Sequence, residues 1–142
     1  MMDLDYKVIK YLYRSKKPQK ISNIKNFIKI AHSTLGSCVK RLRDAGYVNY
    51  EAHHEVELTS KGSDLAKELF RHARLVETLL YFELGVNPEL AHRESEKLNL
   101  LFSCETINKI CKKYGHPKKC PCGEEIISSS RCICETEMKN KD

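Results

Sequence analysis

Apolar positions in the first third of the chain recur with a helical period. Val8, Ile9 and Leu12 share one face and predict a helix over 5–13, which Ser15-Lys16-Lys17-Pro18 brings to an end. A second helix is expected from residue 21, with Ser22 as N-cap and Ile24, Phe27 and Ile28 facing inward. After a break at Ala31-His32-Ser33, Ser33 or Thr34 is expected to cap a third helix, whose Leu35, Val39 and Leu42 repeat at i, i+4 and i+7. Asp44-Ala45-Gly46 stops it, with Gly46 suited to a left-handed C-cap. The period then changes to two. Tyr47-Val48-Asn49-Tyr50-Glu51 and Val56-Glu57-Leu58-Thr59 alternate around the polar His53-His54-Glu55 and predict a β-hairpin.

Three helices followed by a hairpin is the order of a winged helix-turn-helix. From Ser60 a long helical stripe follows, carried by Leu65, Leu69, Leu75, Leu79 and Leu80, until Gly85-Val86-Asn87-Pro88 breaks it. Further helices are expected over 88–101 and 104–114. They are too few and too amphipathic to enclose a core alone, which suggests a dimerisation layer. After Gly115-His116-Pro117 the periodicity disappears into a Cys-rich tail. The expected fold class is mainly α: a winged helix-turn-helix DNA-binding domain over 1–72, an α-helical dimerisation domain over 73–116 and a tail over 117–142.

Composition narrows the function. A chain of 142 residues excludes a large barrel enzyme, and no apolar run approaches the roughly 20 residues that span a bilayer. The first residues lack the basic-then-apolar pattern of a signal peptide, so a soluble, cytoplasmic protein without membrane contact is expected. The net charge of +6 is uneven: residues 1–50 carry eleven Lys/Arg and three Asp/Glu, against fourteen and sixteen in 51–142. A basic half of this kind suits a polyanion. With no Ser-His-Asp set, paired catalytic carboxylates or Gly-rich phosphate loop, an enzyme is not expected.

In a helix-turn-helix the second helix of the motif presents its N-terminal residues to base edges in the major groove. Here that helix offers Ser33, Thr34, Ser37, Lys40 and Arg41 away from its apolar face, and the wing tip offers His53 and His54 to the backbone; Glu55 is ill suited beside phosphate. Among the seven cysteines, Cys38, Cys104 and Cys111 fall in helical patterns, where a reduced thiol acts as a small hydrophobe. Cys120-x-Cys122 and Cys132-x-Cys134 could supply four thiolates to one tetrahedral centre, either Zn²⁺ or an iron–sulfur cluster, with Pro121, Gly123 and Ser128-Ser129-Ser130 as turn residues.

Several stretches together resemble one family. They are Ile21-Ser22-Asn23-Ile24, His32-Ser33-Thr34-Leu35, Val39-Lys40-Arg41-Leu42, Gly46-Tyr47-Val48-Asn49-Tyr50-Glu51 and Leu58-Thr59-Ser60-Lys61-Gly62. Arg71-His72-Ala73-Arg74-Leu75-Val76-Glu77, Leu84-Gly85-Val86, Ala91-His92-Arg93-Glu94-Ser95-Glu96 and Gly115-His116-Pro117…Cys120-Pro121 continue the series. In this order they look like the diphtheria-toxin-repressor/manganese-transport-regulator family, in its short form without an SH3-like domain. The resemblance implies a homodimeric, metal-responsive repressor that binds palindromic double-stranded operators and holds Fe²⁺ or Mn²⁺.

The family's metal ligands transfer only in part. Its first-helix ligand positions fall near Leu4 and Lys7, and Asp3 or Asp5 could substitute only with a slipped register. A family histidine falls on Ala73 beside His72, and a Glu-His pair is replaced by Asn99 and Leu100. Glu77, His92 and Glu96 remain, with His72 as a fourth candidate; His92 and Glu96, one turn apart, could converge on one ion. The family often has Cys-Pro-His-Gly where this chain has Cys120-Pro121-Cys122-Gly123. Two sensors are therefore expected as rivals: the Glu77/His92/Glu96 site, or the tail cysteines reading zinc, iron–sulfur or redox state with the family site lost.

Overall fold

A computed structural model describes residues 1–134. They form two compact units, divided between Ala66 and Lys67, six residues before the boundary expected from the sequence. The described part of the tail belongs to the second unit; residues 135–142 of the expected tail lie outside the described residues.

The first unit contains α1 (Asp3–Ser15), α2 (Ile21–Ile28), α3 (His32–Asp44), β1 (Val48–Asn49), β2 (Glu57–Leu58) and the start of α4 (Ser60–Leu84). Its core is the apolar stripe read from the sequence: Val8, Ile9, Leu12, Ile24, Leu35, Val39 and Leu42 are all buried. Two expectations for α2 fail. Lys20 occupies the N-cap without a side-chain bond and Ser22 lies exposed within the first turn, because the helix begins one residue before it. Phe27 is 67% exposed and packs tilted against Tyr11 with ring centroids 4.6 Å apart, so this two-turn helix fully buries only Ile24. The N-cap of α3 is likewise Ala31, which leaves Ser33 and Thr34 inside the helix.

Gly46 does close α3. At φ 85°, it donates to Arg43 O (2.9 Å) while Tyr47 N donates to Leu42 O (2.9 Å), the paired bonds of a Schellman motif. The hairpin pairs Val48 with Leu58 and Asn49 with Glu57, and Gln19 adds a third bridge to Val56 that the periodicity did not reveal.

The short Leu58-Thr59-Ser60-Lys61-Gly62 segment fastens the start of α4 to this turn. Thr59 Oγ1 donates to Gly46 O (2.6 Å) and accepts from Gly62 N (3.1 Å), and Lys61 Nζ donates to Ala45 O (2.7 Å). The approach is so close that a Cβ on Gly62 would lie 2.1 Å from Tyr47 O, which is why glycine stands there.

Asp5 is buried in this unit. It accepts from the Met2 backbone N–H (2.9 Å), from the Cys38 thiol (3.0 Å) and from Arg41 Nη2 (2.9 Å). Burial raises its pKa, but these hydrogen bonds and the Arg41 charge outweigh that and hold the carboxyl below its usual value. Asp5 is thus committed to structure, and Asp3 pairs with Lys7 on the surface (3.2 Å).

The second unit holds the rest of α4, α5 (Pro88–Ser95) and α6 (Cys104–Lys113). Asn87 caps α5 by accepting from Leu90 N (2.9 Å), with Pro88 at the first helical position. The helix expected over 88–101 stops early: a 3-10 turn covers Glu96–Leu98 and Asn99 turns to φ 46°. Ser103 caps α6 by accepting from Thr106 N (3.2 Å). The tail returns into the core, where Cys120, Ile126, Cys132 and Cys134 are buried with Leu75, Val76, Ile107, Ile110 and Cys111. Among the described residues no helix is long and apolar enough to cross a membrane.

Candidate nucleic-acid interface and metal centre

The exposed face of α3 carries Ser33, Thr34, Ser37, Lys40 and Arg41, while Leu35, Cys38, Val39 and Leu42 are buried behind them. The amphipathic period that builds the core therefore also selects the polar face. Two of these side chains are partly committed. Ser37 Oγ donates to Ser33 O (3.1 Å), and one Arg41 nitrogen holds Asp5, although the Arg41 side chain remains 46% exposed. At the wing, His53 and His54 are exposed, and His53 takes φ 68° in a turn closed by His54 N donating to Glu51 O (3.0 Å).

In the second unit, α4, α5 and the Cys120-Pro121-Cys122 turn converge on Glu77. This carboxylate is fully buried. His92 Nδ1 lies 3.2 Å from its Oε1 and Cys122 Sγ lies 3.3 Å from the same oxygen, with sulfur and nitrogen 3.6 Å apart. Glu77 Oε2 accepts from Cys122 N (2.9 Å), which fixes the carboxylate plane. Cys120 Sγ is 3.3 Å from Cys122 Sγ. Ligands at ordinary metal–N, –O and –S bond lengths around a tetrahedral ion stand about 3.4–3.8 Å from one another. The set is thus close to the spacing that a divalent ion requires, and its donors, one carboxylate, one imidazole and one or two thiols, suit a borderline transition metal.

The rival sensors of the sequence reading meet here. Cys122 and Cys120 join Glu77 and His92 rather than the other tail cysteines. Glu96 is placed differently from expectation: its Oε1 lies 3.6 Å from His92 Nε2, whereas Glu77 and Cys122 stand at Nδ1. One imidazole cannot turn both nitrogens to one ion, so Glu96 faces the side of the ring opposite the Glu77 centre. His72 is also elsewhere, 3.5 Å from Cys132 Sγ, and Cys134 lies against His116 at 3.4 Å. The four-thiolate centre expected of the tail is not formed, because the turns of the tail send its cysteines to separate partners.

Without an ion the thiols are poor anions. Burial, together with the neighbouring Glu77, pushes Cys120 up to about 12, and burial raises Cys122 as well. A bound cation would have to displace their protons. Sequence reasoning missed Cys104, Cys111, His116 and Glu68 as candidate ligands. Local spacing could have pointed to three of them: Glu68 and His72 are i, i+4, and Cys104 and Cys111 are i, i+7 on one helix; His116 carries no such signal.

A winged helix joined in one chain to a helical unit with a Glu/His/Cys group has the form of a helix-turn-helix regulator whose second domain could hold a metal ion. Residues 59–128 match the family model described as "Iron dependent repressor, metal binding and dimerisation domain". The chain is 27% identical over 100 residues to an uncharacterised helix-turn-helix-type transcriptional regulator of Methanocaldococcus jannaschii, covering 70% of this chain and 80% of that one. It is 33% identical over 79 residues to the transcriptional regulator MntR of Salmonella typhimurium, covering 56% of this chain but only 50% of the relative. A solved manganese-dependent transcriptional repressor in complex with manganese superimposes with a TM-score of 0.74 at 28% identity, over 88% of this chain and 58% of that one. These matches support a regulator of the diphtheria-toxin-repressor/manganese-transport-regulator type.

Proposed function

We propose that this chain is a metal-responsive repressor that binds palindromic operator DNA as a homodimer, with Glu77, His92, Cys122 and Cys120 as the ligands of the sensed ion. The observation that carries this reading is the convergence of three donor atoms, Glu77 Oε1, His92 Nδ1 and Cys122 Sγ, within 3.2–3.6 Å of one another, with Glu77 fully buried. Burying Glu77 beside two thiols and an imidazole is costly unless a cation compensates it. A divalent ion there would supply charge neutralisation and a rigid link between α4, α5 and the tail. Iron(II) and manganese(II) are the ions of the relatives; the thiols favour the softer iron.

The remaining residues have defined tasks. Lys40 and Arg41 neutralise phosphates, Ser33 and Thr34 reach base edges or sugar-phosphate oxygens, and His53 and His54 lie along the backbone at the wing. Tyr81, Phe82, Leu84, Leu101 and Phe102 are exposed apolar side chains of the second unit, which a second copy of the chain would cover. Glu77 carries the response because α4, the helix that bears it, begins at the Thr59–Gly62 clamp of the winged helix.

The test is operator affinity of the full chain, stripped of metal under reducing conditions, with and without added Fe²⁺ or Mn²⁺. Tightening of about 5–150-fold, the usual range of allosteric coupling, is expected. An affinity that does not change on adding either ion contradicts the proposal.

A further inference from the structure

Two other groups of donors lie in the second unit, apart from the Glu77 centre. In the first, Glu68 and His72 project from one turn of α4, Cys104 from the start of α6 and Cys132 from the tail. His72 Nε2 is 3.6 Å from Cys104 Sγ and 3.5 Å from Cys132 Sγ, and Glu68 Oε1 is 3.5 Å from Cys104 Sγ and 3.9 Å from His72 Nε2. In the second, His116 Nδ1 is 3.4 Å from both Cys111 Sγ and Cys134 Sγ. A tetrahedral ion with ordinary Zn–S and Zn–N bonds holds sulfur and nitrogen about 3.6 Å apart. All four sulfur–nitrogen separations fall within a few tenths of an ångström of that value.

The surroundings are built to match. Glu68, His72 and Cys132 are each more than nine-tenths buried, and among the described residues His72 Nδ1 has no hydrogen-bond partner. Such a set is a poor packing solution in itself. Arg131 Nε stands 2.8 Å from Glu68 Oε2 as an ion pair, although not aligned as a hydrogen bond, and would offset the surplus negative charge of two thiolates and a carboxylate around one dication. At the second group, Gly115 and His116 both take positive φ (72° and 56°), which turns the imidazole back towards Cys111. The two groups are tied together: Arg71 Nη2 donates to Asn108 Oδ1 (3.0 Å), and Asn108 Nδ2 donates to Ile133 O (3.0 Å), the residue between the two tail cysteines.

We infer that Glu68, His72, Cys104 and Cys132 hold one zinc ion, that Cys111, His116 and Cys134 hold a second, and that the two ions pin the tail onto α4 and α6. This accounts for the Cys-x-Cys spacing. Cys132 Sγ lies against His72 and Cys134 Sγ against His116, so the two thiols serve two ions rather than one. The sites are structural: the first is a closed four-donor set, and neither uses the ligands assigned to the sensed ion.

The experiment is a zinc count on the full chain, purified reduced from zinc-supplemented cells and dialysed against a weak chelator, with Co²⁺ substitution to report thiolate–metal charge transfer. To separate these ions from any zinc at the sensing centre, the count is made in the Glu77→Gln/His92→Ala background. Two zinc ions per chain are expected there, falling to one in Cys132→Ser and to one in Cys134→Ser. No retained zinc and no cobalt–thiolate band in the parent background overturns the inference, whether or not the serine variants fold. So does a count that both serine variants leave unchanged. An operator response that persists in this background, with both zinc ions retained, would refute the sensing role of Glu77 and leave this inference standing.

Discussion

Glu77→Gln is expected to leave operator affinity at its metal-free value, even at ion concentrations that saturate the unsubstituted chain. The glutamine keeps the shape of the side chain and can still accept from Cys122 N, so the turn at Cys120–Cys122 persists. What it lacks is the negative charge and the second strong acceptor that draw a dication to a site where the carboxylate is fully buried. The loss therefore equals the whole coupling, about 1–3 kcal/mol. Operator titrations with and without Fe²⁺, beside a thermal melt showing that the variant folds, check it. A variant that keeps the full response would place the sensed ion elsewhere.

Gly62→Ala should have the largest effect on stability. The added methyl would stand 2.1 Å from Tyr47 O and 3.0 Å from Leu58 Cδ2, and the nearest obstacle is backbone rather than a flexible side-chain end. Relief requires α4 to move away from the α3–β1 turn, breaking the bonds from Thr59 to Gly46 O and from Lys61 to Ala45 O. Overpacking usually costs 1–3 kcal/mol, and a clash with backbone belongs at or above the top of that range, about 3 kcal/mol. Chemical denaturation of the two forms measures it directly. A change below about 0.5 kcal/mol, the size of an ordinary surface substitution, would show that the clamp is not tight.

Much of the winged helix was legible because its signals are local. The i, i+4, i+7 spacing of Leu35, Val39 and Leu42 sets both the buried and the polar face of α3, and Gly46 supplies a left-handed cap that few residues provide. The α2 cap and Phe27 were misread for a related reason: a two-turn helix buries so narrow a stripe that a shift of one residue changes which side chains face inward. Glu77 and His92, which the structure brings together, are picked out by the family resemblance, residue by residue. Cys122 is picked out by the Cys-x-Cys spacing, but its pairing with Glu77 is not legible, since which thiol reaches Glu77 depends on the path of a tail without periodicity. Glu96 shows the limit of spacing arguments. Its i, i+4 relation to His92 brings the side chains together, but at the nitrogen that faces away from Glu77. Cys104 and Cys111 read as packing residues, and a helical pattern cannot distinguish a buried thiol that packs from one that holds a metal ion.

The central claim is that the sensed ion is bound by Glu77, His92 and the Cys120–Cys122 turn. X-ray absorption at the iron edge, on the full chain loaded with Fe²⁺ and bound to operator DNA, tests it most directly, because the edge selects iron even if zinc occupies other sites. A mixed shell is predicted, with oxygen or nitrogen at about 2.0–2.2 Å and one or two sulfur neighbours at about 2.3 Å, the sulfur contribution disappearing in Cys120→Ser/Cys122→Ser. A shell of oxygen and nitrogen alone in the unsubstituted chain would contradict it.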